Sequence, residues 1–151
     1  MLRDSIKAAQ VAAMKSGDKP RVAAVRLILA KIKDRDIELR TADKLPDDDS
    51  LVVEVLQKMV KQRRESIEMF KQGGRDDRVE AESAELAVIE EFMPAQMSED
   101  DTRAVIEAIK AEVGAESMKD MGKVMAAAMA KAAGRADGKA LSALVKSRLS
   151  A

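Results

Sequence analysis

The stretch ESMKDMGKVMAAAMAKAAGRADGKALSALVKSRL, Glu116 to Leu149, reads as two short helices joined by a glycine-flanked basic turn. Ser117, followed three residues later by Asp120, has the spacing of a capping box, in which a hydroxyl and an acidic side chain each satisfy a backbone amide at a helix start. Met118, Met121, Met125 and Met129 recur at three-and-four spacing, which predicts one apolar face. The pattern places them in a core rather than in an adaptable docking groove. Gly134 predicts the stop of this helix and Asp137 the cap of the next, whose Leu141, Leu144, Val145 and Leu149 form a second apolar face. Gly138 leaves the amides at that start unobstructed, so with Arg135 and Lys139 beside them they form a candidate phosphate or carboxylate site. The plain alternative is a glycine stop followed by an aspartate cap, which any helical hairpin requires. Gly122 lies inside a helix, where glycine costs about 1 kcal/mol relative to alanine, and its expected reason is close packing of another backbone within the domain.

The same punctuation divides the rest of the chain. A helix from about Leu2 stops at Gly17, and Asp18 caps a second with Pro20 in its first turn. Val22, Val25, Leu29, Ile32 and Leu39 are its predicted apolar face. TADKLPDDDS, residues 41–50, is a linker whose Asp47, Asp48 and Asp49 sit where a helix start favours negative charge. A third helix runs through Val52, Leu56, Met59, Val60, Arg63, Ile67 and Phe70 to Gln72, and Gly73 and Gly74 stop it. Arg63 falls on the apolar side, so it should pair with Glu82 or Glu85 of the next helix, because an unpaired buried charge is too costly. Lys58, Lys61, Arg63, Arg64 and Lys71, with Arg75 after the double glycine, read mostly as a solvated face with Glu65 and Glu68 as partners, a binding surface being the alternative. The fourth helix, carrying Val79, Leu86, Ile89 and Phe92, ends before Pro94. Ser98, with Asp101 in place of the usual glutamate, opens a fifth with Val105, Ile106, Ile109 and Val113 before Gly114.

No stretch alternates apolar and polar residues between turn dipeptides, so the chain is predicted to be all-α. The organisation expected is an antiparallel helical domain over 1–95 and a small three-helix domain over 97–151, with a protease-sensitive joint at Pro94 to Ser98. The second unit is short enough to have a thin core.

The 151 residues are 46% hydrophobic and 36% charged, the composition of a strongly patterned helical protein. There is no cysteine, hence no disulfide or thiolate metal site, and no apolar run of about 18 residues. A cytoplasmic protein with no membrane partner is expected. Met1 to Gln10 lacks an apolar core and reads as the first helix rather than a signal peptide. Histidine is also absent, which removes the commonest general base and the usual transition-metal ligands. Ser16 and Lys19 have the spacing of a serine-lysine pair without its companion motifs. The acidic run Glu80, Glu82, Glu85, Glu90 and Glu91 lacks the histidines of a di-iron bundle. No phosphate-binding glycine loop is present. Catalytic residues, cofactors and metals are therefore not expected.

Net charge is zero, yet the signs are segregated. Residues 1–75 hold 17 basic and 12 acidic side chains, residues 76–117 hold 3 and 13, and residues 118–151 hold 7 and 2. A basic tail next to an acidic middle suits either nucleic-acid contact by the ends or docking between segments. With two phenylalanines and no tryptophan or tyrosine, stacking on unpaired bases is disfavoured, leaving recognition by shape and phosphate.

DMGKVM (residues 120–125), GRADGK (134–139) and the closing Val145, Lys146 and Leu149 resemble the YqeY family and the related tail domain of the B subunit of the glutamine-dependent tRNA amidotransferase. KQRRESIEMFKQGGRDD (61–77), ESAELAVIEEFMPAQMSEDD (82–101) and RVAAVRLILAKIKDRDIE (21–38) resemble the YqeY amino-terminal domain, so the likeness spans nearly the whole chain. In the amidotransferase the tail helps hold tRNA. The resemblance implies that Lys119, Lys123, Arg135 and Lys139 contact RNA, with Lys146 and Arg148 as peripheral phosphate contacts. It also links the chain to carbon-nitrogen ligase chemistry with glutamine as amide donor, though the parts that perform that chemistry are not in this sequence. The implied function is accessory binding of tRNA or another structured RNA, with a possible protein partner in aminoacyl-tRNA metabolism. The competing class is a non-catalytic module that docks on a partner enzyme.

Overall fold

A computed structural model describes residues 1–150. Among them are seven α-helices and no strand: α1 (Leu2–Ser16), α2 (Lys19–Glu38), α3 (Asp48–Gln72), α4 (Asp76–Glu91), α5 (Glu99–Val113), α6 (Met121–Ala132) and α7 (Gly138–Ser150). Short 3-10 turns follow α2 and precede α6. The helices form two compact units, Met1–Met93 and from Pro94 onward, and residues 94–98 carry no regular structure.

Local chemistry accounts for the helix ends. Gly17 takes a left-handed conformation (φ 73°) that an L side chain resists, and this ends α1. The Asp18 and Asp47 carboxylates accept the amides of Arg21 and Ser50 at 3.1 and 3.0 Å. Ser98 Oγ accepts the Asp101 amide, but the Asp101 carboxylate takes the Ser98 hydroxyl rather than the Ser98 amide. At Ser117 the capping box is complete, with Asp120 reaching back to the Ser117 amide.

In the first unit α3 and α4 form a long antiparallel hairpin across Gly73 and Gly74, with α2 packed on both and α1 on α2 and α3. Ile6, Val25, Ile28, Ile32, Val52, Leu56 and Ile89 are the most deeply buried members of its core. The buried seam of α2 is Ala24, Val25, Ile28 and Ile32, whereas Val22, Leu29 and Leu39 are only half-buried. The expected face was thus partly displaced. Leu27, Ile28 and Leu29 are consecutive, so periodicity alone cannot choose among them, and the neighbouring helices decide.

Ion pairs cross the unit. Arg63 meets both expected carboxylates, Glu82 at 2.7 Å and Glu85 at 2.5 Å, and Arg64 reaches Glu90 at 2.8 Å. Lys61 and Lys71 pair with Glu65 and Glu68 along α3. Arg3 bridges Asp36 (2.8 Å) and Asp48 (2.7 Å), tying α1 to α2 and α3. Its hydrogen bond holds the Asp36 carboxyl below the usual range, as hydrogen bonds from Lys58 and Arg21 do for Glu54 and Glu91. A depressed folded-state pKa contributes stability that is fully present above the ordinary carboxylate pKa and is lost as pH falls from there through the lowered folded value. Melting temperature should therefore begin to fall below about pH 5 and keep falling below the ordinary carboxylate range, by an amount that solvent screening of these part-exposed pairs keeps modest. Asp36→Asn should lower the melting temperature at pH 7 and flatten the acid slope; an unchanged slope would count against the Arg3 clamp.

In the second unit α5, α6 and α7 pack on one another around Ile106, Ile109, Val124, Ala128, Leu141 and Val145. Here the sequence expectation for the methionines needs correcting. The buried stripe of α6 is Val124, Ala128 and Ala132, with Met121 and Met125 half-buried beside it, while Met118 and Met129 are exposed. Small side chains suit a tight three-helix centre, and the long, flexible methionines cover its edge. Gly122 is corrected too: a Cβ there would meet open space, so no close approach accounts for it. Gly122→Ala should raise stability by about 1 kcal/mol, the helix-propensity difference alone. A melting temperature that falls instead would show that the fold itself needs glycine at this position.

Candidate functional site

Two features place the cations of the second unit. First, α6 and α7 run antiparallel: Ser150 Oγ at the end of α7 lies 3.4 Å from Met118 Sδ before α6, and Gly138 at the start of α7 lies beside Met129 near the end of α6. Second, α5 is acidic, with Glu107 and Glu112 directed to the hairpin. Glu107 holds Arg148 at 3.3 Å and Glu112 holds Lys131 at 3.0 Å. Lys110 donates to the Arg148 carbonyl at 3.0 Å.

These pairs sort the seven basic residues of the hairpin. Lys131 and Arg148 are engaged by α5. Lys119, Lys123, Arg135, Lys139 and Lys146 are exposed and have no carboxylate partner among the described residues. Arg148 is thus the member of the sequence-derived set whose charge is already partly compensated. Lys139 and Lys146 are seven residues apart on one face of α7, a rise of about 10 Å. The antiparallel arrangement puts Lys139 with Arg135 at one end of the hairpin and Lys146 with the Lys119 end at the other. One small anion cannot touch both groups, but an extended polyanion can.

The turn itself is more constrained than the sequence indicates. The α6 helix ends at Ala132, and Ala133 (φ 46°) takes the left-handed conformation ahead of Gly134 (φ 81°). An alanine there costs roughly 1–2 kcal/mol. Arg135 is fixed through its backbone: its amide donates to the Ala132 carbonyl at 2.8 Å and its carbonyl accepts from the Met97 amide at 2.6 Å. The start of α7 is capped by Asp137, whose carboxylate accepts the Ala140 amide at 3.0 Å. This carboxylate occupies the position where the helix amides would favour an external anion, so attraction at this end comes from the Arg135 and Lys139 side chains. Sequence reasoning named Asp137 as the cap but not this competition, which follows from the same residue.

Elsewhere the chemistry is sparse. No group of three or more potential metal ligands occurs among the described residues. An open groove of about 430 Å³ in the first unit is floored by Leu27 and Met59, and its Arg63 is neutralised by Glu82 and Glu85. Among the described residues no helix is long and apolar enough to cross a membrane.

Two helical units, the second a basic helical hairpin with an acidic supporting helix, define the chain as an all-α protein. The family model described as Yqey-like protein matches residues 3–149, and the chain belongs to the YqeY family. It is similar to the protein named "Altered inheritance of mitochondria protein 41, mitochondrial" of Eremothecium gossypii, with 40% identity over 83 residues, 55% of this chain and 44% of that protein. The protein of the same name from Saccharomyces cerevisiae is 28% identical over 125 residues, 79% of this chain and 64% of that protein. The Kluyveromyces lactis protein is 31% identical over 83 residues, 55% of this chain and 43% of that protein. The chain thus spans between about two-fifths and two-thirds of these relatives.

Proposed function

We propose that this chain is an accessory binder of structured RNA, tRNA first among them, that grips the phosphate backbone with the α6–α7 hairpin. The observation that carries the reading is the sorting of charge. Lys131 and Arg148 are tied to α5, while Lys119, Lys123, Arg135, Lys139 and Lys146 remain exposed without a carboxylate. Unpaired cations spread over about 10 Å suit a chain of phosphates better than one small anion. The near absence of aromatic side chains favours backbone and shape over base stacking.

The resemblance of the hairpin to the amidotransferase tail supports tRNA as the RNA. In this reading the chain takes no part in the bond-making chemistry of glutamine-dependent amidation; it positions RNA for an enzyme that does. The compartment proposed for this chain is the cytoplasm, where tRNA is charged, although the yeast relatives bear the word mitochondrial in their names.

Binding of total tRNA by the full chain across a salt series tests this. Affinity should fall linearly with the logarithm of salt concentration, with the hairpin contributing about four or five phosphate contacts to the slope. Binding that is absent at low salt, or that ignores salt, overturns the reading and favours docking on a protein partner.

A further inference from the structure

The seven cations of α2 and its following 3-10 turn divide as sharply as those of the hairpin. Arg21 pairs with Glu91, Lys31 with Asp34, and Arg35 with Glu38 and Glu54. Lys19, Arg26, Lys33 and Arg40 have no carboxylate partner among the described residues, and all four are exposed. They are spaced seven residues apart, so they fall along one face of the helix, about 10 Å from one to the next over about 30 Å. The residues between them on that face, Ala23, Ala30 and Ile37, are exposed as well.

One carboxylate lies near the stripe: Asp36, whose charge Arg40 feels alongside Arg3. The acidic residues of α2 are Asp34, Asp36 and Glu38, and each is held by a cation off the stripe: Lys31, Arg3 and Arg35 respectively. A row of like charges gains nothing for the fold, and each member raises the electrostatic energy of the others. A polyanion laid along the row reverses that sign.

We propose that this outward face of α2 is a second nucleic-acid surface, which binds the phosphate backbone of double-helical RNA. The inference rests on the reading of the chain as an RNA binder, but not on the hairpin being the site. Ala23 and Ala30 let a backbone approach closely without obstructing side chains. They also supply little apolar area, and the face offers no aromatic anchor of the kind that dominates protein–protein binding, which argues against an acidic protein as the occupant. Regular 10 Å spacing and the absence of stacking side chains fit a duplex read by shape.

The test compares three variants of the full chain for binding to a 20-base-pair RNA duplex across a salt series. Lys19→Ala, Arg26→Ala, Lys33→Ala and Arg40→Ala together should lower the salt slope by about three to four units and weaken binding about 100-fold at low salt, with helicity and melting temperature unchanged. Removing the same charge at Lys58, Lys61, Arg64 and Lys71, each held by a carboxylate, should change the slope far less. Equal losses in the two variants would mean that net charge alone matters and overturn the proposal, as would an unchanged slope in the stripe variant. Arg135→Glu with Lys139→Glu forms the third arm. If that variant loses binding while the stripe variant does not, the hairpin reading stands and the stripe falls; the reverse result separates them the other way. Salt-sensitive binding of poly-glutamate by the stripe without binding of the duplex would also overturn it, in favour of an acidic protein.

Discussion

Arg135→Glu combined with Lys139→Glu is expected to weaken tRNA binding about 100-fold or more while leaving helicity and melting temperature nearly unchanged. Each side chain is exposed and without a carboxylate partner, so neither contributes appreciably to the fold, and exposed charges seldom exceed about 1 kcal/mol. Each contact with a phosphate is a charge-assisted hydrogen bond of about 1.5 kcal/mol or more, and reversal adds repulsion to the loss. Lys146→Ala, at the other end of the hairpin, should weaken binding uniformly across sequences and lower the salt slope by about one unit. Asp137→Asn keeps the cap on the Ala140 amide but removes the competing negative charge, and it should tighten binding. A double-glutamate variant that binds as well as the parent would leave the turn as a hairpin with a good cap.

Arg63→Leu should destabilise the first unit by about 2 kcal/mol or more. Arg63 is 21% exposed and Glu82 18%, so removing the guanidinium strands the Glu82 carboxylate in a largely dry setting and leaves the more exposed Glu85 unpaired as well. Breaking a fully buried pair costs about 3–5 kcal/mol, and the half-exposed Glu85 reduces this. For a unit of this size that corresponds to a drop in melting temperature of roughly 10 °C. Replacing Glu82 and Glu85 with leucine in the same chain should recover most of the loss, because the partners rather than the arginine carry the penalty. A single variant that melts within a few degrees of the parent would show that water reaches both carboxylates. Since Arg63 lies in the first unit, RNA binding by the hairpin should be retained below the melting transition.

The elements legible in the sequence are those set by a few neighbouring residues. Gly17, Asp18 and Pro20 at the first junction, Gly73 and Gly74 at the tip of the α3–α4 hairpin, and the Ser117–Asp120 box each act through backbone geometry or a hydrogen bond within four residues. Arg63 was legible for a different reason. A guanidinium on an apolar face needs carboxylates, and the next helix offers few that face it.

What failed depended on choices among equivalent local options. Leu27, Ile28 and Leu29 are all apolar, so only the positions of α1, α3 and α4 select Ile28 for the core. On α6 the methionine spacing is helical, but the tight centre made with α5 and α7 accepts Val124 and Ala128 and leaves Met118 and Met129 at the surface. The basic hairpin was visible as composition, whereas which of its cations are available was not. Glu107 and Glu112 are far from Arg148 and Lys131 in sequence, and only the packing of α5 against the hairpin neutralises two charges of seven. Helix ends are decided largely within a turn of chain, and so the sequence by itself determined the helical class and most of its boundaries, the end of α6 at Ala132 rather than Gly134 being an exception. The buried seams and the charges left free depend on contacts between distant segments, and these the tertiary structure alone decided.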